Sequence, residues 1–127
     1  MAGQAFFPAQ APIEAYGKGG FRFAGMSHRG SLLLLPDGVF GWDVSSAEEL
    51  DVADFARVLD RSTPIEFLLL GTGIRQLRPL KAVRDVFAAA GIGLDAMDTG
   101  AAVRTYNVLL AERRMFGAGI IAVDSPR

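Results

Sequence analysis

The sequence predicts a single α/β domain in which an N-terminal antiparallel β meander precedes a β-α-β-α-β layer. Its 127 residues fit one domain of ordinary size. Short apolar or aromatic runs, separated by turns that contain glycine, fill residues 13–42. From residue 65 onwards, segments with the pattern of buried strands alternate with segments of helical periodicity. Half of the residues are hydrophobic and 21% are charged, which disfavours extended disorder.

The composition excludes several classes of function. The chain has no cysteine, which removes disulfides, thiolate zinc sites and thiol nucleophiles, and one histidine cannot form a multi-histidine metal site. The formal net charge of −1 disfavours general binding to nucleic acid. No apolar run approaches the roughly 20 residues that a membrane span needs. Residues 1–12 lack the basic residues of a secretory signal or a mitochondrial presequence. We therefore expect a soluble, cytoplasmic protein without a cofactor.

The N-terminal third is predicted to be an arm followed by the meander. Residues 1–12 form a loose N-terminal arm, in which Phe6 and Phe7 either tuck onto the body or belong to a partly ordered tail. The domain itself covers residues 13–127. Residues 25–30 are predicted to be a glycine-rich turn, and the Pro-Asp-Gly sequence at 36–38 a tight hairpin. The predicted strands are residues 13–16, 20–24, 31–35 and 39–42.

The middle of the chain carries helix-start signals and a buried strand. Ser46 and Glu49 have the spacing of a capping box, which predicts a helix start near Ser46. Asp51 can cap a second segment, so one helix and two short ones both fit the pattern. Residues 65–70 are almost continuously apolar, as in a strand that is buried on both faces.

Two helices and two strands are predicted to follow. Pro79 suits the first turn of the first helix and Gly91 its C-terminal end. Its apolar stripe is Leu80, Val83, Phe87 and Ala90. Asp98 or Thr99 can cap the second helix, residues 100–114. Its apolar face is Ala102, Tyr106, Leu109 and Leu110, flanked by Val103. Strands at residues 92–94 and 118–123 complete the alternation, which indicates a largely parallel sheet.

The first candidate binding element is Gly71-Thr72-Gly73, which comes directly after the buried strand. Open α/β sheets usually hold ligands in a crevice at the carboxyl ends of their strands. The glycines would let backbone N–H groups approach an anion or a carbonyl group. The alternative is a tight turn that takes the chain out of the sheet. The spacing matches neither nucleotide-binding glycine motif.

The second candidate element opens the second helix. A carboxylate or phosphate would be favoured near Asp98, Thr99, Arg104 and Asn107, because the helix dipole and Arg104 both attract negative charge. The alternative is a structural one, in which Asp98 or Thr99 caps the helix and Arg104 pairs with an internal carboxylate. His28 lies beside Ser27 but lacks a third catalytic group. No catalytic or metal-binding set is predicted. The candidate ligand-binding residues are Gly71, Thr72, Gly73, Asp98, Thr99, Arg104 and Asn107.

Seven short stretches together resemble the Mth938-like domain family, which is family 498 of the domains of unknown function. They are residues 20–25 (GFRFAG), 28–31 (HRGS), 35–39 (LPDGV), Trp42, 70–73 (LGTG), 97–102 (MDTGAA) and 104–107 (RTYN). The resemblance covers residues 13–123, and its most specific part is the combination of the last two stretches. It implies a compact three-layer domain with a mixed β-sheet, an additional β layer and flanking helices.

The resemblance also implies protein partners. A mitochondrial member of this family, respiratory complex I assembly factor 3, works with other assembly factors by protein contact. We therefore expect a non-enzymatic interaction or assembly protein whose partners are respiratory-complex subunits or assembly factors. The alternative is a protein or enzyme that binds a small anionic molecule in the crevice. A third hypothesis is a structural homodimer, which the apolar composition favours.

Overall fold

A computed structural model describes residues 5–61 and 65–125 of the chain. Eight strands are present in this part of the chain: β1 Ile13–Gly17, β2 Gly20–Phe23, β3 Met26–Arg29, β4 Ser31–Leu35, β5 Gly38–Trp42, β6 Phe67–Gly71, β7 Gly93–Met97 and β8 Gly117–Ile120. The α-helices are α1 Ala56–Leu59, α2 Lys81–Ala90 and α3 Thr99–Leu110. Two 3-10 turns, Ala47–Glu49 and Val52–Phe55, precede α1.

The strands form two sheets. A small antiparallel sheet has the order β1-β2-β3, and the main sheet has the order β5-β4-β8-β6-β7. In the main sheet β4 is antiparallel to both β5 and β8, whereas β6 is parallel to both β7 and β8. The predicted meander is therefore divided between two sheets, and the parallel pairing is confined to the three C-terminal strands. The predicted β-α-β-α-β layer and mixed sheet are confirmed.

The main sheet is the central layer, because both of its faces are buried. On β4, Leu33 faces a core formed with α1, α2 and the second 3-10 turn. Leu32 and Leu34 face the opposite core, which is formed with α3 and the small sheet. This alternation explains why all five residues of β4 are buried. The three-layer single domain agrees with the fold that the family resemblance implies.

The predicted turn at residues 25–30 is wrong, because residues 26–29 form strand β3. Its pairs with β2 include Phe21 with His28 and Phe23 with Met26. The side chains of β3 are exposed or half-buried, so hydrophobic alternation does not mark the strand. Main-chain pairing holds it in place. The predicted hairpin is confirmed, since Leu35 pairs with Gly38 across Pro36 and Asp37.

The described part of the N-terminal arm is attached to the domain by hydrogen bonds. The N–H of Phe6 donates to the carbonyl of Val39 (2.7 Å), and the N–H of Val39 donates to the carbonyl of Phe7 (3.0 Å). For these residues the tucked alternative is the one observed. Residues 1–4 lie outside the described part of the chain, and the domain boundary between residues 12 and 13 stays a prediction.

Several helix boundaries differ from those predicted. Between β5 and β6 the two-segment alternative is correct, and Ser46 is the N-cap of the first 3-10 turn, as the predicted helix start requires. The reciprocal capping box, however, lies at Asp51 and Asp54 rather than at Ser46 and Glu49. Helix α2 begins at Lys81, so Pro79 precedes it; Gly91 ends it with a φ of 72°. Of its predicted stripe only Val83 and Phe87 are buried.

The second predicted helix and the last strands also shift. Asp98 is the N-cap of α3, which ends at Leu110 rather than at residue 114. Ala102, Val103 and Tyr106 are buried as predicted, while Leu109 and Leu110 are half-buried. Strand β7 was predicted at residues 92–94 but runs from Gly93 to Met97. Strand β8 was predicted at residues 118–123 but runs from Gly117 to Ile120.

Candidate functional site

The two predicted binding elements meet at the carboxyl ends of the parallel strands. Gly71, the last residue of β6, is paired with Met97 of β7 on one side and with Ile120 of β8 on the other. The chain segments that leave these strands therefore begin next to each other. This brings residues 71–73 beside Asp98 and Thr99, as expected for the carboxyl edge of a parallel sheet.

Gly71 allows helix α3 to lie close to the sheet. A Cβ atom at this position would lie 2.9 Å from Cγ2 of Ile120 and 3.1 Å from Cβ of Ala102. A side chain there would push the helix away from β6 and β8. Gly73 has a φ of 104°, a backbone conformation that favours glycine. Both glycines thus have a structural reason to be present.

Thr99 connects the loop after β6 with the segment after β8. Its side chain is fully buried. Its hydroxyl donates to the carbonyl of Ile121 (2.6 Å) and accepts from the N–H of Gly73 (3.0 Å). Its own N–H donates to the carbonyl of Gly73 (2.8 Å). Both hydrogen-bonding functions of the hydroxyl are therefore used inside the protein.

Thr72 organises the loop between β6 and α2 in a similar way. Its hydroxyl lies 2.6 Å from the carbonyl oxygen of Arg75 and 3.1 Å from that of Met97. A hydroxyl has one hydrogen, and the shorter distance favours donation to Arg75. The same oxygen accepts from the N–H of Leu77 (3.1 Å). These hydrogen bonds hold the loop in place around the buried side chain of Thr72.

The polar residues of α3 have three different environments. The carboxylate of Asp98 accepts from the N–H of Ala101 (2.9 Å), which is the hydrogen bond of an N-cap. Asn107 binds the backbone of Ile13 through both its oxygen and its nitrogen. Arg104 is exposed, and no hydrogen bond or ion pair links its guanidinium group to another described residue. Its predicted internal ion pair is therefore not formed with any residue that the structure describes.

An open depression of about 540 Å³ lies at this edge of the sheet. Of the seven candidate residues, Thr72 and Gly73 line it, whereas the other five do not: Gly71, Asp98, Thr99, Arg104 and Asn107. Its other walls come from the segments before β4, after β5 and after β8. We call it the β6–β8 depression. Ligand binding by the seven candidate residues stays a prediction.

Ser31 is a structural residue of this edge that was not among the predicted site residues. Its buried hydroxyl donates to the carbonyl of Val44 (2.7 Å) and accepts from the N–H of Ala122 (3.0 Å). It thereby joins β4 to the segments after β5 and β8. The available signal was its place in the HRGS stretch, which contributed to the family resemblance.

A larger concave surface lies across β5, at the edge of the main sheet. It has a volume of about 840 Å³, and its lining includes Phe6, Leu33, Phe40 and Trp42. Phe6 is 46% exposed, and its ring centroid lies 4.9 Å from that of His28. We call this surface the β5 groove.

Two further features constrain the chemistry of the described residues. Within residues 5–61 and 65–125, no three or more His, Asp or Glu side chains are grouped so that they could hold a metal ion. No helix in that part of the chain is long and apolar enough to cross a membrane.

Comparison with protein-family models identifies the family. The model described as a protein of unknown function (DUF498/DUF598) matches residues 13–121. The chain belongs to this family. The match includes all eight strands and all three helices of the DUF498 domain described above. The family resemblance of the seven sequence stretches is thereby confirmed.

Known relatives and solved structures agree with this assignment. The mouse protein NADH dehydrogenase [ubiquinone] 1 alpha subcomplex assembly factor 3 is 31% identical over 93% of this chain and 64% of its own length. The corresponding human factor is covered over 59% of its length, so this chain spans less than two thirds of either protein.

Two solved structures share the fold. A crystal structure of a protein described as an outer membrane protein of Bartonella henselae is 50% identical, with a TM-score of 0.88, over 93% of this chain and 99% of that one. A Bordetella pertussis protein described as a Mth938-like domain is 31% identical, with a TM-score of 0.70, over 91% and 88% of the two chains.

Proposed function

We propose that this DUF498 protein is a non-enzymatic interaction protein that assists the assembly of a membrane respiratory complex by protein contact. The observation that carries the proposal is its relationship to complex I assembly factor 3, which extends over 93% of this chain. The hydrogen bonds of Thr72, Thr99 and Asn107 also support it, because these polar side chains bind the protein's own backbone. The partners would be subunits or assembly factors of that complex.

The β5 groove is the contact surface that we assign to this function. It places the exposed ring of Phe6 beside the buried side chains of Phe40 and Trp42, which form the floor of the groove. Aromatic side chains are enriched at protein interfaces, since they bury a large area at a low entropic cost. The guanidinium of Arg57 lies 4.1 Å from the ring centroid of Phe40, at the polar margin of the groove.

The edge of β5 beyond its bridge to the N-terminal arm favours a partner segment in an extended conformation. Val39 turns its N–H and carbonyl outward to the N-terminal arm. Because backbone orientation alternates along a strand, Gly41 turns its N–H and carbonyl to the same side. A partner strand at this position would add main-chain hydrogen bonds to the aromatic contacts, as in β-strand addition.

Affinity purification from the native host, with a crosslinker and mass spectrometry, tests the proposal. Wild type should enrich respiratory-complex subunits or assembly factors, and Phe6→Ser should lose them. Val108→Ser is the matched control, because Val108 is 65% exposed on α3 and does not line the groove. It should retain the partners. Absence of such proteins from the wild-type sample would contradict the assembly function, and their retention by Phe6→Ser would contradict the assigned surface.

The alternative function is binding of a small anionic molecule in the β6–β8 depression. Arg75 lines this depression together with Thr72 and Gly73, so a cation is available there. A screen of small carboxylates and phosphates by thermal shift would test it. Arg75→Ala should weaken a bound anion by about 1.5–3 kcal/mol if Arg75 makes a charged hydrogen bond, whereas Arg104→Ala, at a residue that does not line the depression, should change the affinity less. Unchanged affinity in a variant would remove that residue from the site.

A further inference from the structure

Residues 74–85 repeat an apolar residue followed by a basic one at intervals of three. The repeated pairs are Ile74-Arg75, Leu77-Arg78, Leu80-Lys81 and Val83-Arg84. The first three lie in the loop between β6 and α2 or at the start of α2, and the last pair lies within the helix. We call residues 74–85 the basic segment.

Positive charge is concentrated in the basic segment relative to the rest of the chain. It contains four of the thirteen basic residues and one of the fourteen acidic residues, which leaves nine basic and thirteen acidic residues elsewhere. The segment is therefore strongly positive, whereas the rest of the chain is negative. Its acidic residue, Asp85, forms an ion pair with Lys81 (2.7 Å). An anionic surface would attract this segment and repel the remainder, which would orient the molecule.

The apolar members of the pattern are unusually exposed at two positions. Ile74 is 56% exposed and Leu80 is 58% exposed. Arg75 and Arg78 are also exposed, and no hydrogen bond or ion pair joins either guanidinium group to another described residue. Exposed aliphatic side chains interspersed with exposed cations are the combination that binds at the interface of an anionic membrane.

The loop is held in one conformation despite its exposure. Thr72 binds the carbonyl of Arg75 and the N–H of Leu77, as described above. The side-chain amide of Gln76 donates to the carbonyl of Ala96 on β7 (2.8 Å). Arg84 donates through Nε to the carbonyl of Pro79 (3.1 Å). A fixed loop loses little conformational entropy when it binds.

We propose that the basic segment binds the surface of an anionic lipid bilayer. Ile74 and Leu80 enter the boundary between headgroups and acyl chains, and Arg75, Arg78 and Lys81 contact lipid phosphates. Segments that combine basic side chains with exposed apolar ones bind such interfaces through both interactions. Lipid is favoured over an acidic protein, because the anchors are aliphatic residues on an exposed loop and leucine is under-represented at the energetic centres of protein interfaces.

Flotation of the full chain with vesicles tests the proposal. The probes are phosphatidylcholine vesicles with and without phosphatidylglycerol at about one third of the lipid. Binding should require phosphatidylglycerol and should weaken at least threefold when salt is raised from 50 to 300 mM, since the contacts with phosphate are screened (about 10 Å Debye length at 0.1 M). Equal recovery with both kinds of vesicle, or no recovery with either, would overturn the proposal. The second outcome is also the one expected of a loop that docks an acidic protein.

Matched variants test whether vesicle binding depends on the basic segment or only on the net charge of the protein. Arg78→Glu should reduce vesicle binding at least fivefold, whereas Arg113→Glu, the same charge change at an exposed position outside the segment, should alter it less than twofold. Equal losses would assign the binding to net charge and overturn the proposal.

Leu80→Ser tests the anchor residue Leu80 with a substitution that should not destabilise the fold. Leu80 is the N-cap of α2 and makes no side-chain capping hydrogen bond. Serine is a preferred N-cap residue, so this variant should raise the melting temperature while it reduces vesicle binding. A variant that is more stable and still binds vesicles as well as wild type would show that Leu80 is not an anchor and would count against the proposal. The outcome does not depend on the assembly function, which is tested through the β5 groove.

Discussion

The side chain of Asn107 binds both backbone groups of Ile13, a residue 94 positions earlier in the chain. The N–H of Ile13 donates to Oδ1 of Asn107 (2.9 Å), and Nδ2 of Asn107 donates to the carbonyl of Ile13 (2.9 Å). Next to it, the hydroxyl of Tyr106 donates to the carbonyl of Ala11 (2.8 Å). The RTYN stretch of α3 therefore fastens the start of β1 to the helix. An amide is suited to this role because it is both a donor and an acceptor.

Substitution of Asn107 by alanine should destabilise the fold. It would leave the N–H and carbonyl of Ile13 without their partner in a half-buried site, which costs about 1–3 kcal/mol for each unpaired group that water does not reach. We expect a loss of about 1–3 kcal/mol in the free energy of unfolding, measured with urea. Thr105→Ala, at a neighbouring half-buried position, is the control and should cost less. An Asn107→Ala protein as stable as wild type would show that the contact contributes little.

Substitution of Thr99 by valine tests the hydroxyl that connects three segments at the sheet edge. Valine keeps the shape of threonine but removes both the bond to the carbonyl of Ile121 and the bond from the N–H of Gly73. Because the site is fully buried, water cannot replace either partner without a rearrangement. The expected loss is about 2–4 kcal/mol in the free energy of unfolding. Hydrogen exchange should show faster exchange at Gly73; unchanged exchange there would argue that the loop has another support.

Gly119 and Trp42 provide a test of packing in the main sheet. A Cβ atom at Gly119 would lie 2.9 Å from Cζ3 and 3.0 Å from Cη2 of Trp42, so the indole lies directly over this residue. Gly119→Ala should cost about 1–3 kcal/mol through overpacking. In a Trp42→Phe background the contacting atoms are removed, and the same substitution should cost less. A double-mutant cycle by urea unfolding measures the difference, and purely additive effects would contradict the contact.

The parts of the fold that the sequence predicted are those with a strong local pattern. Strand β6 is a continuous apolar run, and Gly91 and Asp98 are typical end and start residues of helices. Strand β3 was missed because its side chains are mostly exposed and its support is main-chain pairing with β2. A strand whose side chains are exposed shows no alternation of apolar and polar residues, so its sequence does not reveal it.

The same physical limit applies to the candidate site. The sequence identified Thr72, Thr99 and Asn107 as polar residues near a sheet edge, and two of the three lie there. It could not show that their partners are backbone groups, among them Ile13 and Ile121, which are distant along the chain. A backbone N–H or carbonyl is present at almost every residue, so no side-chain pattern reveals which one is bound.

Tyr106 should make stability depend on pH in the alkaline range. Burial raises the pKa of its hydroxyl above the ordinary value of about 10. The folded state therefore keeps the proton at a pH where the unfolded state releases it. The stabilisation is complete below pH 10 and is lost as the pH rises from there towards the raised pKa, by up to about 1.4 kcal/mol per pH unit.

Urea unfolding of wild type and Tyr106→Phe between pH 8 and pH 11.5 measures this effect. At pH 8 the variant should be less stable by about 1 kcal/mol, because the carbonyl of Ala11 loses its hydrogen bond. Above pH 10 the difference should shrink and then reverse, since phenylalanine has no proton to hold. Titration of basic side chains affects both proteins and cancels in the comparison. Tyr16→Phe, which removes the other tyrosine hydroxyl of the chain, should keep the alkaline loss that Tyr106 causes. A constant difference between wild type and Tyr106→Phe across the range would show that the Tyr106 hydroxyl titrates equally in the folded and unfolded states.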